Sequence, residues 1–241
     1  DLEFHFNNIP EDYLATVEVR EAALHIRLIR SLKDRTFIFN HSFNEEGKLH
    51  QIILCCPVKF DGFKILVGAL SAKSINILET KIFIRKDGIV IISVNIEETE
   101  KTVAGDLEIW KNLKEDLSNI FEGHESLLNL LAKRTLYIAE KQTAEAIIPK
   151  IEVDNLSDPN FSIIRIEARD HLGMLYKISK VFSDFAIRIY SAKVSTQGGR
   201  GIDVFYVSHQ NKKILFKKLI RRAKEKIIFA MMLKNPEDLG E

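Results

Sequence analysis

The residues best suited to chemistry are one short loop and two isolated side chains. Asp170-His171-Leu172-Gly173-Met174 is a polar loop that runs directly into an apolar-periodic segment. A loop entering a helix presents free backbone N–H groups at the positive end of the helix dipole, which favours a carboxylate. Gly173 would admit close backbone approach, and Asp170 could bind an α-amino group or shape the loop. Elsewhere Asn76 offers both a donor and an acceptor, as an amide or zwitterion requires. Arg188 could pair with a carboxylate. The chemistry these residues support is recognition rather than reaction. The same residue types also suit a plain turn with a helix cap at Asp170 and Gly173, a strand-edge position for Asn76 and a solvated strand residue at Arg188.

Other chemistries find little support. The histidines are His5, His25, His41, His50, His124, His171 and His209, and none has metal-ligand spacing with a cysteine or carboxylate. No phosphate-binding glycine loop or dinucleotide fingerprint is present, since Gly198-Gly199-Arg200-Gly201 falls between strand-like runs. We therefore expect no metal, no cofactor and no catalytic residue in this chain. A final amphipathic segment is basic (Lys212, Lys213, Lys217, Lys218, Arg221, Arg222, Lys224, Lys226). It reads as a solvated helix face, or as a surface for an acidic protein or nucleic acid.

The 241 residues include 46% hydrophobic and 29% charged side chains, enough to bury a core and keep a soluble surface. With 35 Lys plus Arg against 34 Asp plus Glu, there is no global field to draw nucleic acid or acidic lipid. The adjacent Cys55 and Cys56 would point to opposite faces of a strand and cannot bridge. A reducing, cytoplasmic setting is expected. No apolar run reaches membrane-spanning length, and the opening DLEFHFNNIPEDYL lacks the order of a signal peptide. The missing initiator Met suggests a piece of a longer protein.

The elements that position these residues emerge from an internal repeat. Shifting the sequence by 112 positions superposes its apolar pattern without a gap: SINILETKIFI (74–84) falls on AIRIYSAKVST (186–196), and HQIILCC (50–56) on SIIRIEA (162–168). Each copy reads as a β-hairpin around a turn-rich stretch (42–49; 154–161), then a helix with Phe63, Leu66, Val67 and Leu70, or Leu175, Ile178, Phe182 and Phe185, on one stripe. A second hairpin follows (75–84 with 89–96; 187–196 with 202–208), and a helix closes the copy (107–121; 213–231). Residues 12–32 and 125–141 read as helical lead-ins. The expected fold is α+β: two ferredoxin-like domains, each an antiparallel four-stranded sheet with helices on one face.

EARDHLG (167–173), the helix MLYKISKVFSDF and the run IYSAKVSTQGGRGIDVFYVS resemble the last ACT domain of PII uridylyltransferases. There an Asp-Arg-Pro-Gly turn precedes the helix, and Asp203-Val204-Phe205 stands where that family has Asp-Val-Phe. IEVDN (151–155) resembles the family's lead-in. GALSAKSINILETKIFIRKDG (68–88) is similar to the first ACT domain, and residues 110–134 and 9–32 resemble the family's connectors. The likeness spans nearly the whole chain. In the first copy the family turn becomes Val58-Lys59-Phe60-Asp61, with Gly62 as the shifted glycine.

The resemblance implies a helical lead-in at 1–35, ACT domains at 36–122 and 148–235, and a helical connector at 123–147. It implies a small amino-acid ligand, glutamine, held by Asp170, His171, Leu172, Gly173, Met174, Asn76, Arg188, Asp61 and Gly62. It also implies catalytic domains in the same polypeptide and a PII-type signal protein as partner. If the copies pack side by side, a ligand could bridge Asn76 and the 170–173 loop. The alternatives are a pair without ligand that packs or dimerises through exposed sheet edges, and a nucleic-acid binder through the basic helix.

Overall fold

The computed structural model describes residues 2–99, 102, 107–138, 148–169, 173–197 and 200–233. Three helices lead in: α1 (Leu2–Asn8), α2 (Glu11–Thr16) and α3 (Val19–Leu32). Next come β1 (Ile38–Asn44), β2 (Leu49–Pro57), a single 3₁₀ turn at Val58–Phe60, α4 (Gly62–Ala72), β3 (Glu79–Ile84), β4 (Ile89–Glu97), α5 (Glu108–Phe121) and α6 (Leu127–Ile138). The second half has β5 (Lys150–Asp154), β6 (Ser162–Arg169), α7 (Met174–Asp184), β7 (Ile187–Gln197), β8 (Arg200–His209) and α8 (Lys217–Met232).

The strands form one antiparallel eight-stranded sheet in the order β1-β2-β4-β3-β7-β8-β6-β5. Two separate four-stranded sheets were expected. Instead β3 and β7 pair through Glu79–Lys193, Thr80–Ala192 and Lys81–Ser191. Joining two edges satisfies backbone groups that each half alone would leave exposed. The pairing also carries a local pseudo-two-fold. Residues 112 apart exchange across it, with Thr80 and Ala192 at its centre.

The 112-residue spacing holds for the first hairpins, where Ile38 faces Cys55 and Lys150 faces Glu167. It does not hold to the end. Thr80 faces Val94, whereas Ala192 faces Phe205, so β8 follows β4 by 111 residues. The expected gapless match fails by one residue, and β7 carries a bulge between Ile189 and Ser191.

Alternation along β2 separates two cores. Ile52, Leu54 and Cys56 face the α4–α8 side, together with Leu66, Leu70, Ile164, Ile166, Ile178, Phe182 and Phe205. Ile53 and Cys55 face the opposite side, against Ile9, Tyr13, Ala22, Leu32, Phe83 and Ile91. The two cysteines do point apart, and both are buried. The second cluster corrects the one-faced expectation, because α1–α3 cover the other face of the first four strands.

That cover is fastened by polar contacts. Tyr13 Oη and His25 Nδ1 lie 2.8 Å apart, Glu21 Oε1 accepts from Ser93 Oγ (3.1 Å) and Gln51 Nε2 (3.2 Å), and Lys81 Nζ donates to Thr16 O (2.9 Å). The expected single helix at 12–32 is interrupted, since Val17 and Glu18 are extended. The expected helix at 213–231 starts later. Ser162 Oγ accepts the Ile214 N–H (2.7 Å) and Asn155 Nδ2 donates to Ile214 O (3.1 Å), which ties Ile214 to the β5–β6 turn and keeps it out of the helix.

Candidate ligand-binding site

A cleft of about 380 Å³ opens where the two halves of the sheet meet. One wall is the β2–α4 loop, with Val58, Asp61, Gly62 and Phe63; the other is α7 and the start of β7, with Ser179, Ser183, Ala186, Ile187, Arg188 and Ile189. Ile82, Ile84 and Val90 form an apolar floor. The β3–β7 junction sets the width, because it places the first-half loop beside the second-half helix.

Local backbone fixes the loop. Asp61 is left-handed (φ 52°, ψ 49°) and ends the 3₁₀ turn with its N–H on Val58 O (3.4 Å), while its own carbonyl starts α4 by accepting the Ile65 N–H (3.2 Å). A side chain at Gly62 would drive its Cβ into Cys56 Sγ, with Ile92 Cδ1 at 3.4 Å behind it. Glycine is therefore required there by close approach of helix and strand. The Gly62 N–H hydrogen-bonds the buried Cys56 thiol, whose pKa burial pushes up to about 12. Cys56 is thus a neutral packing group rather than a nucleophile.

The polar groups of the cleft have mixed character. Asp61 Oδ2 accepts from Ser183 Oγ (2.6 Å) and pairs with Lys64 Nζ (3.1 Å). Arg188 is exposed and donates to Asn211 Oδ1 (3.0 Å). A carboxylate on one wall, with a hydroxyl and a guanidinium on the other, can complement an α-amino and an α-carboxylate group.

The structure gathers three of the sequence-picked residues, Asp61, Gly62 and Arg188, in one cleft. The pseudo-two-fold carries Asp61 to Gly173, Gly62 to Met174, Ser183 to Ser71 and Arg188 to Asn76. Backbone conformation follows the same pairing: Asp61 and Gly173 are both left-handed, as are Ser74 and Ala186. Asp170, His171 and Leu172 lie outside the described residues. Asn76 is exposed, on the coil before β3. Met174 is buried, and a Cβ at Gly201 would meet its Cε at 2.7 Å, so this side chain fills core space over β8.

Ser183 was missed by sequence reasoning, although its match with Ser71 at the 112-residue spacing was available. Among the described residues there is no group of three or more metal-ligating side chains and no helix long and apolar enough to cross a membrane.

The sequence model of the ACR9-like, ACT-like domain family matches residues 150–234. The bifunctional uridylyltransferase/uridylyl-removing enzyme of Rhodospirillum rubrum is 26% identical over 214 residues, covering 88% of this chain and 22% of the enzyme. The chain thus spans about a fifth of that relative's length. Among solved structures, a double ringed trimeric shell protein from the RMM microcompartment aligns with 82% of this chain and 94% of its own, at 10% identity and a TM-score of 0.25. That likeness carries no weight for fold or function. Residues 150–234 thus match an ACT-like domain family, and the chain is similar to the bifunctional uridylyltransferase/uridylyl-removing enzyme over most of its length.

Proposed function

We propose that this chain is the regulatory ACT pair of a PII-type uridylyltransferase/uridylyl-removing enzyme, working in the cytoplasm. It binds a small amino acid, glutamine by resemblance, where the two halves of the sheet meet. The observation that carries this reading is the cleft in which Asp61 faces the wall bearing Ser183 and Arg188. The Asp61 carboxylate takes the α-amino group, and Arg188 takes the α-carboxylate after exchanging its bond to Asn211. The pseudo-two-fold supplies a second position at Gly173 and Asn76.

Because the cleft is built from both halves, a ligand there favours one relative placement of the halves. Differential affinity for that placement is what biases the attached catalytic domains. The domains are a lead-in at 1–35, ACT units at 36–122 and 148–235, and a connector at 123–147. A PII-type protein is the substrate of those catalytic domains.

Calorimetric titration with glutamine, beside Asp61→Ala and Arg188→Ala, tests the reading. Saturable binding weakened in both variants supports it. A chain silent to glutamine and other amino acids at millimolar concentration sinks it. The second reading is a packing module that binds no ligand. It is favoured by the internal satisfaction of Asp61 by Ser183 and Lys64.

A further inference from the structure

The two outer strands of the sheet are built differently. β5 (Lys150–Asp154) carries Lys150, Glu152 and Asp154, and Lys150 pairs with Glu152 at 2.8 Å. Charged side chains on an edge discourage pairing with other chains. β1 (Ile38–Asn44), the outer strand at the other end, reads IFNHSFN, with no charged residue and no proline. Its register with β2 is continuous from Ile38–Cys55 to Asn44–Leu49, with no bulge to turn the edge away. Among the described residues, no strand pairs with its outer side.

The β1 sequence is also nearly self-complementary about His41. An antiparallel copy centred there sets Phe39 opposite Phe43 and Asn40 opposite Ser42, twice over, with His41 opposite its own copy. Aromatic pairs and paired polar side chains are favourable cross-strand neighbours. The side chains are already arranged for it. Phe39, His41 and Phe43 share the helix-side face, where His41 stacks on Trp110 with centroids 4.3 Å apart, and Asn40, Ser42 and Asn44 share the other.

We propose that a second copy of this chain docks on β1, pairing antiparallel about His41 so that the sheet runs through both protomers. The interface is separate from the cleft, so it stands or falls independently of ligand binding.

Sedimentation equilibrium of the 241-residue chain tests it, with two paired variants. Asn40→Lys with Ser42→Lys places like charges opposite each other at two positions and raises the dimer dissociation constant about tenfold or more. Asn40→Lys with Ser42→Glu places opposite charges at the same two positions and retains the dimer. Both variants should keep the far-ultraviolet circular dichroism of the parent. A parent that stays monomeric to high micromolar concentration overturns the proposal. So does a dimer indifferent to both variants, or loss of the dimer in the Lys/Glu variant to the same degree as in the Lys/Lys variant.

Discussion

Gly62→Ala tests the close packing that shapes the cleft. On helix propensity alone the change should stabilise the first turn of α4 by up to about 1 kcal/mol. The structure reverses the sign. The new Cβ overlaps Cys56 Sγ by roughly 1 Å relative to ordinary contact, and Ile92 Cδ1 at 3.4 Å and Leu54 Cδ2 at 3.5 Å leave no room for retreat. Overpacking of a tight core costs about 1–3 kcal/mol, so Gly62→Ala should be net destabilising. Cys56→Ala alone leaves a small void and costs about 1 kcal/mol. In the double variant the alanine methyl occupies the volume vacated by sulfur. The two changes should therefore be strongly non-additive, with a favourable coupling of about 1–3 kcal/mol. Urea denaturation of the four proteins gives the cycle. A neutral or stabilising Gly62→Ala, or additive free energies, would refute the claim that Gly62 is required by the approach of α4 to β2.

Further outcomes follow from the hydroxyl and the histidines. Ser183→Ala removes the 2.6 Å bond to Asp61; it should cost about 1 kcal/mol of stability and alter any glutamine affinity seen by calorimetry, whereas an unchanged melting temperature and affinity would show the bond to be idle. His5, His25 and His41 are all held down to a pKa of about 4, chiefly by burial, and Arg85 adds to the effect on His5. The unfolded chain therefore takes up these protons first, from about pH 6.5 downward. Stability should fall as pH drops towards 4 and level off below it, with wholly buried His25 contributing at most about 3 kcal/mol. Chemical denaturation of the parent and His25→Asn across that window checks this, since the variant should show a shallower slope. Trp110, the sole tryptophan, stacks on His41, so its fluorescence should change as pH passes through about 4 rather than 6.5.

Much of the framework was legible from residue order. Alternation placed Cys55 and Cys56 on opposite faces, and the stripe of Leu66, Val67 and Leu70 marked α4, because both periods are local properties of the backbone. Asp61, Gly62 and Arg188 could be singled out by turn chemistry and by the family-like loop. Their meeting in one cleft could not, because nothing local says that β3 of one half pairs with β7 of the other. Ser183 shows the same limit: on α7 it is an ordinary helix serine until the junction brings it to Asp61.

Composition, periodicity and the 112-residue echo in sequence by themselves determined the α+β class, the order of elements and the candidate loops. Tertiary structure alone decided three things. It merged the halves into one sheet, since two unprotected edges satisfy each other's backbone groups. It turned α1–α3 onto the outer face of the first four strands, where Ile53, Cys55, Phe83 and Ile91 needed cover. It left β1 open and β5 charged at the two ends of the sheet. Each is a long-range choice, fixed by which apolar faces and unpaired edges remain after the local elements have formed.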